Sequence, residues 1–121
     1  MTSSTNKTTT TFDDAVAVDF PGTQWEAWTK PGAHGRVKIA RTQGKRFRLL
    51  ELPPGFDEHH WCLKGHDGYV LEGEFTILFE ERAEPCAPGM AFCIPDGIPH
   101  RSRGAVNGPT VVVVVDKDDD R

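Results

Sequence analysis

The sequence predicts an all-β domain, an antiparallel sandwich or barrel, on three observations. Twelve glycines and nine prolines among 121 residues break the chain into segments too short for long helices. Between the breaks the apolar residues mostly alternate with polar ones, the period of a strand with one face buried. No segment carries a sustained 3.6-residue apolar stripe. Turn signals recur about every ten residues, which predicts seven to nine short strands.

Each element has its own pattern. Val37 and Ile39 alternate with Arg36 and Lys38, and Phe47 and Leu49 alternate with Arg46 and Arg48. Glu72-Gly73-Glu74 separates Tyr69-Val70-Leu71 from Phe75-Thr76-Ile77 and marks a tight hairpin or a bulge. Phe75, Ile77 and Phe79 then alternate with Thr76, Leu78 and Glu80. Ala87-Pro88-Gly89 turns the chain into a short apolar run. The β-branched run 111–115 reads as a strand covered on both faces.

The length suffices for one domain with one core, expected over residues 12–116. Residues 1–11 are mostly Ser, Thr, Asn and Lys, have little to bury and are expected to be disordered. The charged end from Asp116 onward is expected to be solvated, with residues 117–121 as a tail beyond the domain. A formal net charge of −4 with scattered basic residues gives no reason to expect nucleic acid. No apolar run approaches the roughly 18 residues of a membrane span, and no apolar signal core opens the chain. Three cysteines cannot form a fully paired disulfide framework, so a cytoplasmic setting is the simplest expectation.

Two clusters carry the chemistry. In the segment 89–100, Gly89 is followed by five residues, then Pro95-Asp96-Gly97, then two residues and His100. Upstream, His59, His60, Cys62 and His66 crowd into eight residues. The first spacing resembles the second motif of the cupin superfamily, with Gly104 where an Asn commonly stands. The resemblance implies a double-stranded β-helix, or jelly-roll barrel. The family's first motif is His-x-His, three or four residues, Glu, six residues, Gly. Anchored on Gly73, that frame puts His60 and Cys62 at the two His positions and His66 at the Glu position. Gly55 precedes His60 by one residue fewer than usual, and the resemblance covers about residues 53–104.

The resemblance implies a metal held by His60, Cys62, His66 and His100. Three imidazoles and one thiolate would keep the ligand count and charge of the usual three-histidine, one-carboxylate set. Such donors suit zinc or iron, with nickel or copper as alternatives, over magnesium or calcium. If His60 and Cys62 share the inner face of a strand, His59 and Trp61 face away; the opposite frame would aim an indole where a ligand is wanted.

The remaining polar and aromatic residues have plainer readings. Cys86 and Cys93 read as structural, His34 as a surface residue, and Trp25, Trp28 and Trp61 as packing aromatics. Arg46, Arg48, Arg101 and Arg103 either turn a planar fork inward onto a carboxylate or phosphate, or lie on a solvated face. Tyr69 is either a proton donor at the mouth or part of the wall.

Two functions follow as expectations. One is a metal-dependent enzyme acting on a small organic molecule: dioxygenase chemistry with iron, isomerase or lyase chemistry with zinc or nickel. The other is a non-catalytic small-molecule-binding module without a metal. A homodimer is expected in either case, since an exposed sheet edge is otherwise a liability. Neither nucleic acid nor membrane is an expected partner.

Overall fold

The computed structural model describes residues 15–118, so the segment 1–11 and the last three positions of the tail lie outside the described residues. Nine strands follow one another: β1 (Glu26–Lys30), β2 (Ala33–Thr42), β3 (Lys45–Leu52), β4 (His66–Glu72), β5 (Phe75–Leu78), β6 (Ala83–Cys86), β7 (Ala91–Ile94), β8 (Arg101–Arg103) and β9 (Thr110–Lys117). They form a six-stranded sheet, in the order β1-β2-β3-β9-β4-β7, and a three-stranded sheet, β6-β5-β8. Every pairing is antiparallel. The apolar core lies between the two sheets, as in a jelly roll.

The register explains the core. Val37 pairs with Leu50, Leu50 with Val112, and Val112 with Val70. These four make one inward row across β2, β3, β9 and β4, each 4% exposed or less. Leu52 on β3, Ile94 on β7, and Phe75 and Ile77 on β5 of the smaller sheet close the core. The β2–β3 hairpin turns on Gln43 and Gly44, both at positive φ (54° and 74°). That is the two-residue turn whose twist matches its flanking strands, and it locks the register of the row.

Arg48 occupies the next inward row, paired with Ile39 and Val114. One row further, Arg46 pairs with Asp116. Both arginines therefore point inward on β3, while Phe47 and Leu49 face outward and are only half-buried. β9 is likewise covered on one face: Val112 and Val114 are buried, whereas Val111, Val113 and Val115 are half-exposed on the outer face.

Two further expectations are corrected. Gly73 does not close a hairpin, because β4 and β5 belong to different sheets. The bulge reading of this region holds: the β4–β9 register shifts between Val70 and Glu72. Gly73 then passes the chain across at φ +72°, where a Cβ would come 2.5 Å from the Pro109 carbonyl oxygen. The charged end is not a solvated tail at its start either. Asp116 and Asp118 are 8% and 5% exposed, and β9 runs to Lys117.

Candidate functional site

A cavity of about 50 Å³ opens between the sheets. Trp28, Leu50, Leu52, Phe75 and Val114 form its apolar wall; Lys30, Arg48, Glu58, Cys62, His66, His100 and Ser102 supply its polar groups. Trp28 is braced by Phe56, with ring centroids 5.6 Å apart and nearly parallel planes.

His100 is the most buried polar side chain of the lining, at 2% exposure. The turn through Pro95 and Gly97 delivers it, with the Gly97 N–H donating to the Leu63 carbonyl at 2.7 Å. A reciprocal pair of backbone bonds with Cys62, 2.7 and 3.0 Å, then fixes its position. Its Nδ1 lies 2.9 Å from the Ile98 carbonyl oxygen. A carbonyl only accepts, so Nδ1 carries a proton, and the tautomer this selects has its lone pair on Nε2. That Nε2 is buried and has no hydrogen-bond partner.

His66 opens β4 on the inward face, its ring centroid 5.3 Å from that of His100 and edge-on to Phe92 at 6.0 Å. Burial first, then the charges of Arg48 and His100, push its pKa down to about 4. The imidazole is therefore neutral near neutral pH. Arg48 is 12% exposed at its side chain. Its Nη2 reaches Asp116 Oδ2 at 3.4 Å, and its Nε is buried without a partner. Arg46 grips the same carboxylate more tightly, at 3.0 and 2.7 Å. Burial pushes the Asp116 pKa up, but the Arg46 hydrogen bond and the charges of Arg48, Arg46 and Lys64 outweigh it and hold the carboxyl below its usual range.

The segment between β3 and β4 departs from simple alternation. Asp57 bridges to Arg103, and Cys62 bridges to His100. Five positions separate 57 from 62, against three between 100 and 103, so two extra residues bulge out. Glu58 and Cys62 consequently both reach the cavity, while His59, His60 and Trp61 are exposed. Glu58 is 3% exposed and accepts the Ser102 backbone N–H at 3.1 Å. The sequence did not single out Glu58, and it left Arg48 open between an inward fork and a solvated face; the structure takes it inward. For Glu58 the available signal was that it stands four positions before Cys62.

Of the four expected metal ligands, Cys62, His66 and His100 line one cavity and His60 does not. Burial first, then the Glu58 charge, raises the Cys62 pKa, so without a metal its sulfur is a thiol. The Arg48 guanidinium lines the same cavity. Among the described residues no three His, Cys, Asp or Glu side chains are gathered to hold a metal ion. The donors of the lining are two imidazoles, a thiol and the Glu58 carboxylate, and two cationic groups, Arg48 and Lys30, share the cavity with them; those cations disfavour a resident divalent ion.

The other sequence candidates lie away from the cavity. Tyr69 is 45% exposed on the outer sheet face. Arg101 spans Asp57, at 3.1 Å, and the Glu58 carbonyl, at 2.9 Å, with its guanidinium over Trp61. His34 is exposed on β2, and Cys93 is exposed rather than set in the barrel wall.

Solved structures share this architecture. A cupin-2 domain protein of Rhodospirillum rubrum superposes with a TM-score of 0.71 at 15% identity, over 85% of this chain and 74% of that one. The chain is a cupin by fold. The polyketide cyclase RemF of Streptomyces resistomycificus superposes with a TM-score of 0.68 at 25% identity, over 84% of this cupin and 78% of that enzyme. An Fe(II) form of HppE, solved with the alternative substrate (S)-1-HPP, gives 0.67 at 13% identity, over 86% of this chain and 60% of that one. No family model and no curated protein sequence matches the chain. Among the described residues no helix is long and apolar enough to cross a membrane.

Proposed function

We propose that this cupin binds a small organic molecule whose polar end enters the cavity, and that His100 takes a proton from it there. The observation that carries the reading is the His100 Nε2 lone pair, buried and unpartnered in the cavity wall. A buried acceptor left without a donor costs about 1–3 kcal/mol. A ligand that offers a proton to this atom recovers that cost.

The chemistry closes on the chain's own groups. As Nε2 takes a proton the ring becomes an imidazolium, its Nδ1–H still held by the Ile98 carbonyl. The electron pair stays on the ligand as negative charge, beside the Arg48 guanidinium. The apolar wall of Trp28, Leu52 and Phe75 keeps bulk water from weakening that attraction. The similarity to a polyketide cyclase and to an enzyme with a small-molecule substrate supports small-molecule chemistry in such a cavity.

Neither zinc nor iron enters this reading. Elemental analysis of untagged protein purified without chelators is expected to find no stoichiometric transition metal. One retained equivalent, lost on His100→Ala, would restore the metal reading. A screen of small organic acids, enols and phenols by thermal shift, and by the 15N resonances of the His100 imidazole, tests the proton transfer. A ligand that protonates Nε2 in the wild type and binds at least tenfold more weakly to His100→Gln, at unchanged stability, is the expected result; equal binding to both refutes it.

The same reading includes a homodimer. It is supported by the outer face of the six-stranded sheet, where Phe47, Leu49, Val113, Val115 and Tyr69 form an apolar band. Light scattering at micromolar concentration is expected to give twice the chain mass, and Leu49→Lys with Val113→Lys the single mass.

A further inference from the structure

The hydrogen-bonding inventory of the cavity specifies the polar end of the ligand. Two buried side-chain atoms have no partner among the described residues: Arg48 Nε and His100 Nε2. Both residues line the same cavity. They are opposite in kind. The Arg48 Nε–H can only donate, and it carries positive charge. His100 Nε2 can only accept, because its ring proton is spent on the Ile98 carbonyl. One anionic oxygen cannot satisfy both, since it has no proton to give His100. One hydroxyl gives Arg48 no negative charge to meet.

The space narrows the answer. The cavity is small, about 50 Å³, and admits only the polar end of a small ligand. Arg48 and His100 line this one space, so the acceptor and the donor belong close together on the ligand. The charges agree: Arg48 and Lys30 are the cationic groups of the lining, against the single carboxylate of Glu58, which already accepts from the Ser102 N–H.

We propose that the cavity selects small 2-hydroxy carboxylates, with the carboxylate on Arg48 Nε–H and the neighbouring hydroxyl donating to His100 Nε2. The proposal rests on the small-molecule reading above and names its ligand class. It also gives His100 Nε2 its hydrogen-bond donor, the hydroxyl.

Titration of 15N-labelled protein, followed at the imidazole nitrogens, tests it with five probes: lactate, glycolate, propionate, acetate and propane-1,2-diol. The expected result is that lactate and glycolate shift the His100 Nε2 resonance and bind at least tenfold more tightly than the parent carboxylates or the diol. Arg48→Lys keeps the charge but lacks the Nε–H, and is expected to remove that preference. If it fails to fold, Arg48→Gln is the second variant, with the same expectation. If the diol or the simple carboxylates shift His100 as strongly as lactate does, the ligand class is wrong while the small-molecule reading stands. If no organic probe of any class reaches His100, both fall.

Discussion

Asp116→Asn removes one charge and almost no volume, which makes it the cleanest perturbation of the chain's buried electrostatics. The Asp116 carboxylate is 3% exposed at its side chain and is reached by Arg46 at 2.7 Å, Arg48 at 3.4 Å and Lys64 at 4.0 Å. Neutralising it leaves three cations around an amide, one of them the inward Arg48. Removing one partner of a buried pair costs about 3–5 kcal/mol. Lys64 and Arg46 retain some access to water, so the loss belongs at the low end, about 3 kcal/mol. For a domain of this size that lowers Tm by roughly 10–20 °C. Urea unfolding followed by tryptophan fluorescence measures the difference. The sign with pH is fixed as well. The folded carboxyl titrates below its unfolded counterpart, so its stabilisation is present above about pH 4 and lost as pH falls through the folded value. Wild type and variant should therefore converge in acid. A difference below about 1 kcal/mol at neutral pH, or one that persists unchanged at pH 3, would refute the assignment of a buried, charged carboxylate.

The remaining predictions are local. His66→Gln should flatten the pH dependence of stability between about 6.5 and 4: there the unfolded imidazole binds a proton that the buried one refuses, so the wild type loses stability as pH falls through that window. A wild-type curve already flat over that range would show that His66 is not held neutral. Leu52→Ala empties a fully buried site and should cost about 3 kcal/mol in denaturant unfolding, within the usual span for such truncations. Gly68→Ala places a Cβ 2.2 Å from the Phe92 ring, which stacks on Phe75 and meets His66 edge-on. It should cost about 1–3 kcal/mol and also weaken ligand binding, whereas a neutral effect on both would mean that Phe92 moves without consequence.

The fold was legible because period-two alternation and frequent turns are local signals that tertiary context rarely reverses in a half-buried strand. Which face is inner was less legible. In β3 both parities carry apolar residues, Phe47 and Leu49 on one and Leu50 and Leu52 on the other. Only the pairing of Leu50 with Val37 and Val112 decides, and it takes Arg48 inward with them. The same long-range pairing buries Asp116, which local charge density reads as tail. Gly73 shows the limit from another side: a turn signal states that the chain bends, not whether it returns to the same sheet.

The site divides along the same line. His100 was legible because the turn before it is built from sequence-local parts, a Pro and a positive-φ Gly, that deliver an imidazole at a set distance. The upstream ligand frame rests instead on uninterrupted alternation from 60 to 62, and the bulge between the Asp57 and Cys62 bridges breaks that assumption. The bulge exchanges a candidate imidazole for the Glu58 carboxylate, while β3 contributes a guanidinium whose Nε–H is buried without a partner. Those exchanges alter the cavity's chemistry as a whole. A site with three imidazoles and an anion attracts a metal cation; this one has two imidazoles, of which His66 is held neutral, a protonated thiol, a carboxylate already bonded to backbone, and two cationic side chains. The barrel keeps the geometry that aims side chains at one point. The residues it aims favour an anion that brings its own proton.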